Sequence, residues 1–198
     1  MKYSDFKSFR EYDRKVFRAT NIPKEIKKSL GIDKLEEPFY GILYNDYQCG
    51  ASFRILGNES KIIKDEMLII RSSSFEEMEF EHFDGKKAQF ESALEEINKG
   101  YYDEHLDAIL NDKKLDIFRY KEYPFDVRVL LFTDDKIDEM WARLITKMED
   151  DDNLYIAELL NTSTYDENYV EGTTIGIEYH KLEDGEALIV NGIIELDE

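Results

Sequence analysis

The sequence predicts an α+β protein built mainly from antiparallel sheet, with a helical arm at the N-terminus and a helix pair in the middle of the chain. Short apolar runs separated by turn residues occur on both sides of a central segment that has helical spacing. Hydrophobic residues make up 42% and aromatic residues 13% of the 198 positions. A chain with that content can form a core despite its 36% of charged residues.

The N-terminal arm is predicted as two helices. Residues 4–18 favour an amphipathic helix with Ser4 as its N-cap. Its apolar side chains fall on overlapping helical faces: Phe6, Phe9, Val16 and Phe17. A second, short helix is indicated by Pro23 at a first helical position and Gly31 just past the end.

The following segments read as strands separated by turns, at 39–45, 48–56, 63–71 and 75–83. The last of them, FEEMEFEHF, alternates apolar residues and His82 with three glutamates: Glu77, Glu79 and Glu81. A period of two is typical of a half-buried strand. We therefore expect a carboxylate-lined outer face on this strand.

The central helix pair is predicted at 87–99, with Gly100 as its cap, and at 101–111. Both segments place apolar residues three and four positions apart: Phe90, Leu94 and Ile97 in the first, Tyr102, Leu106, Ile109 and Leu110 in the second.

The last third returns to strands, predicted at 125–133, 140–148, 154–160, 173–180 and 187–196. Pro124 marks a subdomain boundary between a helical arm with an α+β region at 1–123 and an antiparallel β region at 124–198. We expect the two regions to form one compact body, since the sequence has no internal repeat and no low-complexity linker.

Charge and cysteine content indicate where the protein works and what it meets. The formal net charge is −19, and residues 1–30 hold nine basic and four acidic groups, so this segment carries +5 and the rest −24. Such a field repels nucleic acid and anionic membranes and attracts basic proteins. With a single cysteine, Cys49, and no signal-type or long apolar segment, we expect a soluble cytoplasmic protein.

Motifs for metal or cofactor chemistry are not found in the sequence. The acidic run 149–152 fails the calcium-loop pattern, because the sixth position counted from Asp150 is Tyr155, where glycine is needed. The histidines lack zinc-site spacing, and glycine-rich phosphate loops do not occur. We therefore predict no cofactor, and a solvated turn at the acidic run.

One alternative concerns a thiol enzyme. The run QCGA around Cys49 resembles part of a papain-type signature, with His180 as base and Asn191 as the residue that orients it. The signature needs its cysteine at a helix N-terminus, whereas the following residues read as a strand. Ser52 and Phe53 also depart from it. We favour a half-buried structural cysteine.

Three short motifs in the last third carry a family resemblance. They are Glu139-Met140-Trp141 opening a strand, Leu159-Leu160-Asn161 ending the next, and Gly172-Thr-Thr-Ile at a third strand start. Residues 124–185 resemble the YegJ-like family of small bacterial proteins of unknown function and related immunity proteins of polymorphic-toxin systems. The chain departs from that pattern at Thr164, where a proline is common, and in 182–188, which lacks the closing aspartate–tryptophan.

The resemblance implies a small antiparallel sheet in which Trp141, Leu144 and Leu159 pack two hairpins together, and it implies no active site. Its link to toxin immunity agrees with the charge, since an acidic protein that neutralises a basic toxin gains from electrostatic steering.

The sequence therefore predicts a non-catalytic acidic protein-binding module, of immunity or regulatory type, that neutralises a basic protein partner. Two alternatives stay open: a nucleic-acid mimic whose carboxylates stand in phosphate-like rows, and an enzyme of unrecognised type. The predicted partner-binding residues are Glu77, Glu79, Glu81, Asp150, Asp151 and Asp152.

Overall fold

Two compact units make up the chain. The computed structural model describes residues 1–63, 68–85, 88–133 and 135–195. Unit 1 comprises Met1–Tyr102 and Lys121–Tyr123, and unit 2 comprises Asp103–Tyr120 and Pro124–Glu198. Helices and mainly antiparallel strands occur together, so the α+β prediction is confirmed at that level.

Unit 1 contains an antiparallel sheet with strand order β4-β3-β2-β1-β5. Its described strands are β1 (Lys15–Thr20), β2 (Phe39–Asp46), β3 (Gly50–Asn58), β4 (Leu68–Arg71) and β5 (Glu79–His82). Its described helices are α1 (Lys24–Ser29) and α2 (Ala88–Tyr101). Strands β2 and β3 are buried along their whole length, because both faces of the sheet are covered.

Aromatic side chains cover the two faces of this sheet. On one face, rings of α2 contact β2, with Phe90 6.3 Å from Tyr40 and Tyr101 4.8 Å from Tyr44 between centroids. On the other face, Phe6 of the N-terminal segment packs 5.6 Å from Phe17 of β1. The Phe6–Phe17 pair is edge-to-face, with an interplanar angle of 83°, and such packing adds to the free energy of burying the rings.

The predicted helix over residues 4–18 is wrong. The segment forms two 3-10 turns, Tyr3–Asp5 and Phe9–Glu11, and then strand β1. Arg14, at a φ of 55°, adopts a left-handed conformation that breaks any helix there. Pairing of β1 with β2 and β5 satisfies its backbone polar groups on both sides, and this tertiary pairing overrides the helical spacing of the phenylalanines.

Other predictions for this half are confirmed in outline. The short helix after Pro23 is present as α1, and the strands at 39–45 and 48–56 correspond to β2 and β3. The predicted strand 75–83 is reduced to β5, and within 63–71 the residues 64–67 lie outside the described ones.

The central helix pair is present as α2 and as α3 (Glu104–Asn111), with α3 in unit 2. Helix α2 continues to Tyr101, so Gly100 is a helical residue and not the predicted cap. Asp103 is the N-cap of α3, since its side chain accepts from the backbone N–H of Leu106 at 2.8 Å. None of the described helices has the length and apolar character needed to cross a bilayer.

Five strands of unit 2 form an antiparallel meander. A parallel pairing between the first and the fifth of them, in which Leu130 lies opposite Ile189, closes the meander into a barrel. The described strands of the unit are β6 (Arg119–Tyr120), β7 (Tyr123–Phe132), β8 (Ile137–Lys147), β9 (Leu154–Leu159), β10 (Thr174–Leu182) and β11 (Gly185–Ile193). Strand β6 extends the sheet beside β7. The strands predicted in the last third are thus present, and residue 196 of the last prediction lies outside the described ones.

Alternate residues of the barrel strands are buried, and the residues between them face outward. The buried residues of β7 to β9 that follow this alternation are Phe125, Val127, Val129, Leu131, Met140, Ala142, Leu144, Tyr155, Ala157 and Leu159. Asp126, between two of them, is buried as well. Arg119 connects the end of α3 to β7. Its guanidinium donates to the carbonyl oxygens of Ile109, at 2.5 Å, and of Pro124.

Candidate functional site

The glutamates that the sequence singled out lie at the edge of the sheet in unit 1. Glu79 and Glu81 stand on β5, opposite Thr20 and Arg18 of β1. The neighbouring Phe80 is 1% exposed and anchors the strand in the core, whereas both glutamates are exposed. The predicted alternation is therefore confirmed for this part of the segment. Glu77 is also exposed, but it precedes the strand.

Two open grooves border this edge. The first, of about 660 Å³, is lined by residues that include Lys2, Lys24, Glu77 and Glu79. The second, of about 500 Å³, is lined by residues that include Met1, Arg18, Glu79 and Glu81. Glu79 is thus shared by both grooves, and the three predicted glutamates all line one or the other.

Some of the groove charges are neutralised internally. Arg18 pairs with Glu81 at 3.3 Å and with Glu59 at 3.5 Å. Within the described residues, Glu77 and Glu79 make no ion pair. A row of three free carboxylates, as a phosphate mimic requires, is therefore interrupted at Glu81.

A second ion pair, which also lines the first groove, orders the chain before α1. Lys27 lies 3.0 Å from Glu37. Glu37 also accepts from the backbone N–H groups of Asn21, at 2.7 Å, and Ile22, at 3.1 Å. Asn21 has a φ of 57°, and the carboxylate holds this left-handed residue in place. Glu37 therefore has a structural role in the groove.

The acidic hairpin of unit 2 is more strongly compensated than predicted. Asp152 lies 2.8 Å from the ammonium of Lys147, and Lys114 donates to the carbonyl oxygen of Asp152 at 2.6 Å. The hydrogen bond from Lys147 holds the pKa of Asp152 below its ordinary value. Asp150 and Asp151 remain exposed, and Asp151 accepts from the backbone N–H of Asn153 at 2.8 Å.

The same lysine connects the hairpin to a partly buried carboxylate, Asp112. Lys147 lies 3.2 Å from Asp112, and the hydroxyl of Tyr155 donates to it at 2.7 Å. Burial opposes ionisation of Asp112, but these two hydrogen bonds, together with the backbone N–H and the charge of Lys114, outweigh it and lower its pKa. Burial and the bond to Asp112 raise the pKa of Tyr155. The cluster is internally satisfied, which indicates a structural role.

A buried polar network in unit 1 is likewise saturated. Asp13 accepts from Tyr102 at 2.7 Å and from Asn45 at 2.8 Å, and it pairs with Arg14 at 3.0 Å. Burial raises the pKa of Asp13, although all three hydrogen bonds oppose that shift. These polar groups bond to one another. Because Asp13 lies in the N-terminal segment and Asn45 lies on β2, the bonds hold this segment against the sheet.

The chain's one tryptophan lies where the sequence did not predict it. Trp141 is 38% exposed on the outer face of β8, whereas Leu144 and Leu159, expected beside it in the packing, are fully buried. Its ring lies 5.9 Å from that of Tyr120, at an interplanar angle of 73°. Trp141 follows the buried Met140 directly on β8, so the two side chains point to opposite faces of the strand. This alternation is the sequence signal that could have predicted an exposed Trp141.

Exposed apolar side chains are concentrated in unit 2. Those described there are Ile117, Tyr120, Phe132, Ile137, Trp141, Met148, Tyr165, Val170, Leu182 and Ile193. The described ones of unit 1 are Met1 and Ile62. Exposed apolar patches often mark interaction sites.

The connection between β9 and β10, residues 160–173, is fastened next to Trp141. The side chain of Asn161 accepts from the backbone N–H of Trp141 at 2.8 Å. Asp138 of β8 accepts from the hydroxyl of Ser163 and the backbone N–H of Thr164, both at 2.7 Å. These bonds hold the connection in a defined position beside the exposed ring.

The three residues of the thiol-enzyme alternative belong to different units. Cys49 lies exposed in the turn between β2 and β3 of unit 1, so its predicted half-buried position is wrong. Its N–H donates to Asp46 at 3.0 Å, which makes the turn and not a helix the local structure. His180 and Asn191 lie on β10 and β11 of unit 2, where His180 is 3.3 Å from Glu178.

Within the described ranges, no group of three or more histidine, cysteine, aspartate or glutamate side chains is arranged to hold a metal ion. No protein-family model, no curated protein and no solved structure matches this chain.

Proposed function

We propose that this chain is a non-catalytic protein-binding module that neutralises a basic protein partner, as an immunity-type or regulatory protein in the cytoplasm. The observation that carries the proposal is the pair Glu77 and Glu79. Both carboxylates are exposed at an open groove beside the edge strand β5, and neither has an ion-pair partner among the described residues. They are free to meet cations of another protein.

The charge of the whole chain supports this assignment. A formal net charge of −19 produces a long-range field that raises the encounter rate with basic proteins. Part of the basic charge of residues 1–30 is engaged internally, since Arg14 pairs with Asp13, Arg18 with Glu81 and Lys27 with Glu37.

We further propose that residues 124–185 are related to the YegJ-like family and to immunity proteins of polymorphic-toxin systems, and this relation gives the proposal its biological direction. An immunity protein works by covering a toxin and needs no catalytic groups of its own. The acidic surface would meet a basic toxin of the nuclease kind.

The test uses the product of the neighbouring reading frame as the ligand. We expect a basic protein that co-purifies with this chain, and an association rate that falls at least about tenfold as salt rises from low to physiological concentration. Stopped-flow mixing at several salt concentrations measures the rate.

A charge-matched pair of variants assigns the effect to the groove. Glu77→Lys/Glu79→Lys should slow association and raise the dissociation rate. Glu183→Lys/Asp184→Lys changes the net charge equally, at exposed positions of the β10–β11 turn of unit 2, and should alter only the association rate. An association rate that does not depend on salt, or equal dissociation rates for the two variants, contradicts the proposal.

A further inference from the structure

The barrel of unit 2 presents two exposed aromatic rings that meet at a steep angle. Trp141 and Tyr120 are 38% and 48% exposed, and their planes are inclined by 73°. The two rings contact each other edge to face, and the ring surface that this contact leaves uncovered forms a small exposed aromatic corner. Tryptophan and tyrosine in such positions are the side chains that most often dominate the binding energy of a protein interface.

Two arginines of β7 and β8 near this corner are paired with carboxylates. Arg128, which lies opposite Trp141 in the register of β7 and β8, pairs with Glu139 at 3.5 Å. Arg143 makes a two-pronged contact with Asp126, at 2.7 and 3.0 Å. Neither arginine therefore adds an uncompensated positive charge to the outer face.

Carboxylates remain in excess around the corner. Glu158 of β9 lies opposite Arg143, is exposed, and has no described ion pair. Leu160 donates its N–H to the carbonyl oxygen of Trp141, so Glu158 is a diagonal neighbour of Trp141 on the outer face. The connection 160–173 beside them holds three acidic residues and no lysine or arginine.

A guanidinium group fits this combination of rings and carboxylates. It stacks on an aromatic face, and its planar fork pairs with a carboxylate at the same time. A lysine ammonium lacks the fork and is more strongly hydrated, and an acidic side chain is repelled. We infer that Trp141 and Tyr120 receive an arginine side chain of the basic protein partner, with Glu158 as its carboxylate. This inference rests on the proposed function and adds the residue that is recognised.

The experiment uses Trp141 itself as the reporter, because it is the only tryptophan of the chain. The full chain is titrated with a peptide of alternating arginine and leucine, and with matched peptides that carry lysine or glutamate in place of arginine. We expect a saturable change of Trp141 fluorescence with the arginine peptide, weaker binding of the lysine peptide, and no change with the glutamate peptide.

Variants locate the binding energy. Tyr120→Ala and Glu158→Gln should each weaken the arginine peptide about 2- to 30-fold by calorimetry, the range expected when one cation–π contact or one charge pair is lost. Met148→Ala is the control, since Met148 is an apolar residue of the same unit with a similar exposure, 41%, and it should bind as the wild type does.

The outcomes separate the inference from the proposed function. If the neighbouring basic protein binds with the expected salt dependence while Trp141 fluorescence stays constant and Tyr120→Ala binds normally, the inference is overturned and the proposed function stands. Equal affinity for the lysine peptide also overturns the assignment to arginine. If neither the basic protein nor the peptide binds at low salt, the proposed function fails and the inference fails with it.

Discussion

The hydroxyl of Tyr102 donates to Asp13 at 2.7 Å and also accepts from the backbone N–H of Asn45 at 2.8 Å. The hydroxyl of Tyr102, the residue just after α2, thus connects this part of the chain to the N-terminal segment and to strand β2. Tyr102 is 8% exposed, so water does not replace these bonds readily.

We expect Tyr102→Phe to destabilise unit 1 by about 1–3 kcal/mol, because it leaves a buried carboxylate and a buried N–H short of one partner each. Urea unfolding followed by the near-ultraviolet circular dichroism of the tyrosines measures the change. Tyr165→Phe, at a tyrosine that is 47% exposed in unit 2, should change the free energy of unfolding by less than about 0.5 kcal/mol. Equal stability of the two variants contradicts the network's structural role.

The stability of unit 2 should depend on pH through Asp112. Its pKa is lowered in the folded state, so ionised Asp112 contributes stability that is fully present above its unfolded pKa of about 3.9. That contribution is lost as the pH falls through the lower, folded pKa. Urea unfolding followed by Trp141 fluorescence should show less acid destabilisation for Asp112→Asn than for the wild type.

The control for this measurement is Asp150→Asn, at an exposed aspartate of the neighbouring hairpin. It should keep the acid dependence of the wild type. If both variants follow the wild-type curve, the hydrogen bonds from Tyr155 and Lys147 do not act on the pKa as described.

Two glycines should respond in opposite directions to alanine. A Cβ at Gly41 of β2 would collide with the carbonyl oxygen of Arg54 and the ring of Phe53, so Gly41→Ala should destabilise unit 1 by about 1–3 kcal/mol or more. At Gly100 of α2 a Cβ meets nothing within 4 Å, and Gly100→Ala should stabilise the protein by about 0.5–1 kcal/mol. Thermal unfolding of both variants tests this, and a loss of stability at Gly100 would show that the helix does not continue through it.

The alternation along β8 predicts unequal effects for two large apolar residues. Leu144→Ala removes a fully buried side chain and should destabilise unit 2 by about 2–5 kcal/mol. Trp141→Ala should cost less than about 1 kcal/mol despite its larger ring, because the ring lies on the outer face. Far-ultraviolet circular dichroism in urea compares the two, and a greater loss for Trp141→Ala contradicts the barrel's inside and outside assignment.

Local periodicity was sufficient to predict much of this fold. The spacing of Phe90 and Ile97 predicted α2, and the alternation from Phe125 to Leu131 predicted β7, because each pattern reflects burial on one side of a single element. The helical spacing of Phe6 and Phe9 failed, since those rings cover a sheet whose strands come from distant parts of the chain. No local pattern contains that information.

The candidate site was predicted in the same partial way. Glu79 and Glu81 lie at the exposed edge that their alternation indicated, but only the fold shows that Arg18 engages Glu81 and that Lys147 engages Asp152. The resemblance implied that Trp141 packs two hairpins together with Leu144 and Leu159. The structure places Trp141 on the outer face of β8 instead, where it lies opposite the exposed Arg128 of β7.

The closure of the barrel through Leu130 and Ile189 has a consequence for how unit 2 folds. The hairpins β7–β8, β8–β9 and β10–β11 join neighbours in the chain and can form early, whereas the closing pair must wait until all five strands are in place. Ribosomal synthesis delivers β11 after the other four barrel strands, so a nascent chain that has emerged only as far as β10 holds an open sheet with β7 uncovered along the edge that β11 later occupies. Such an edge readily pairs with other chains. The barrel is therefore most vulnerable to aggregation in the interval before β11 leaves the ribosome.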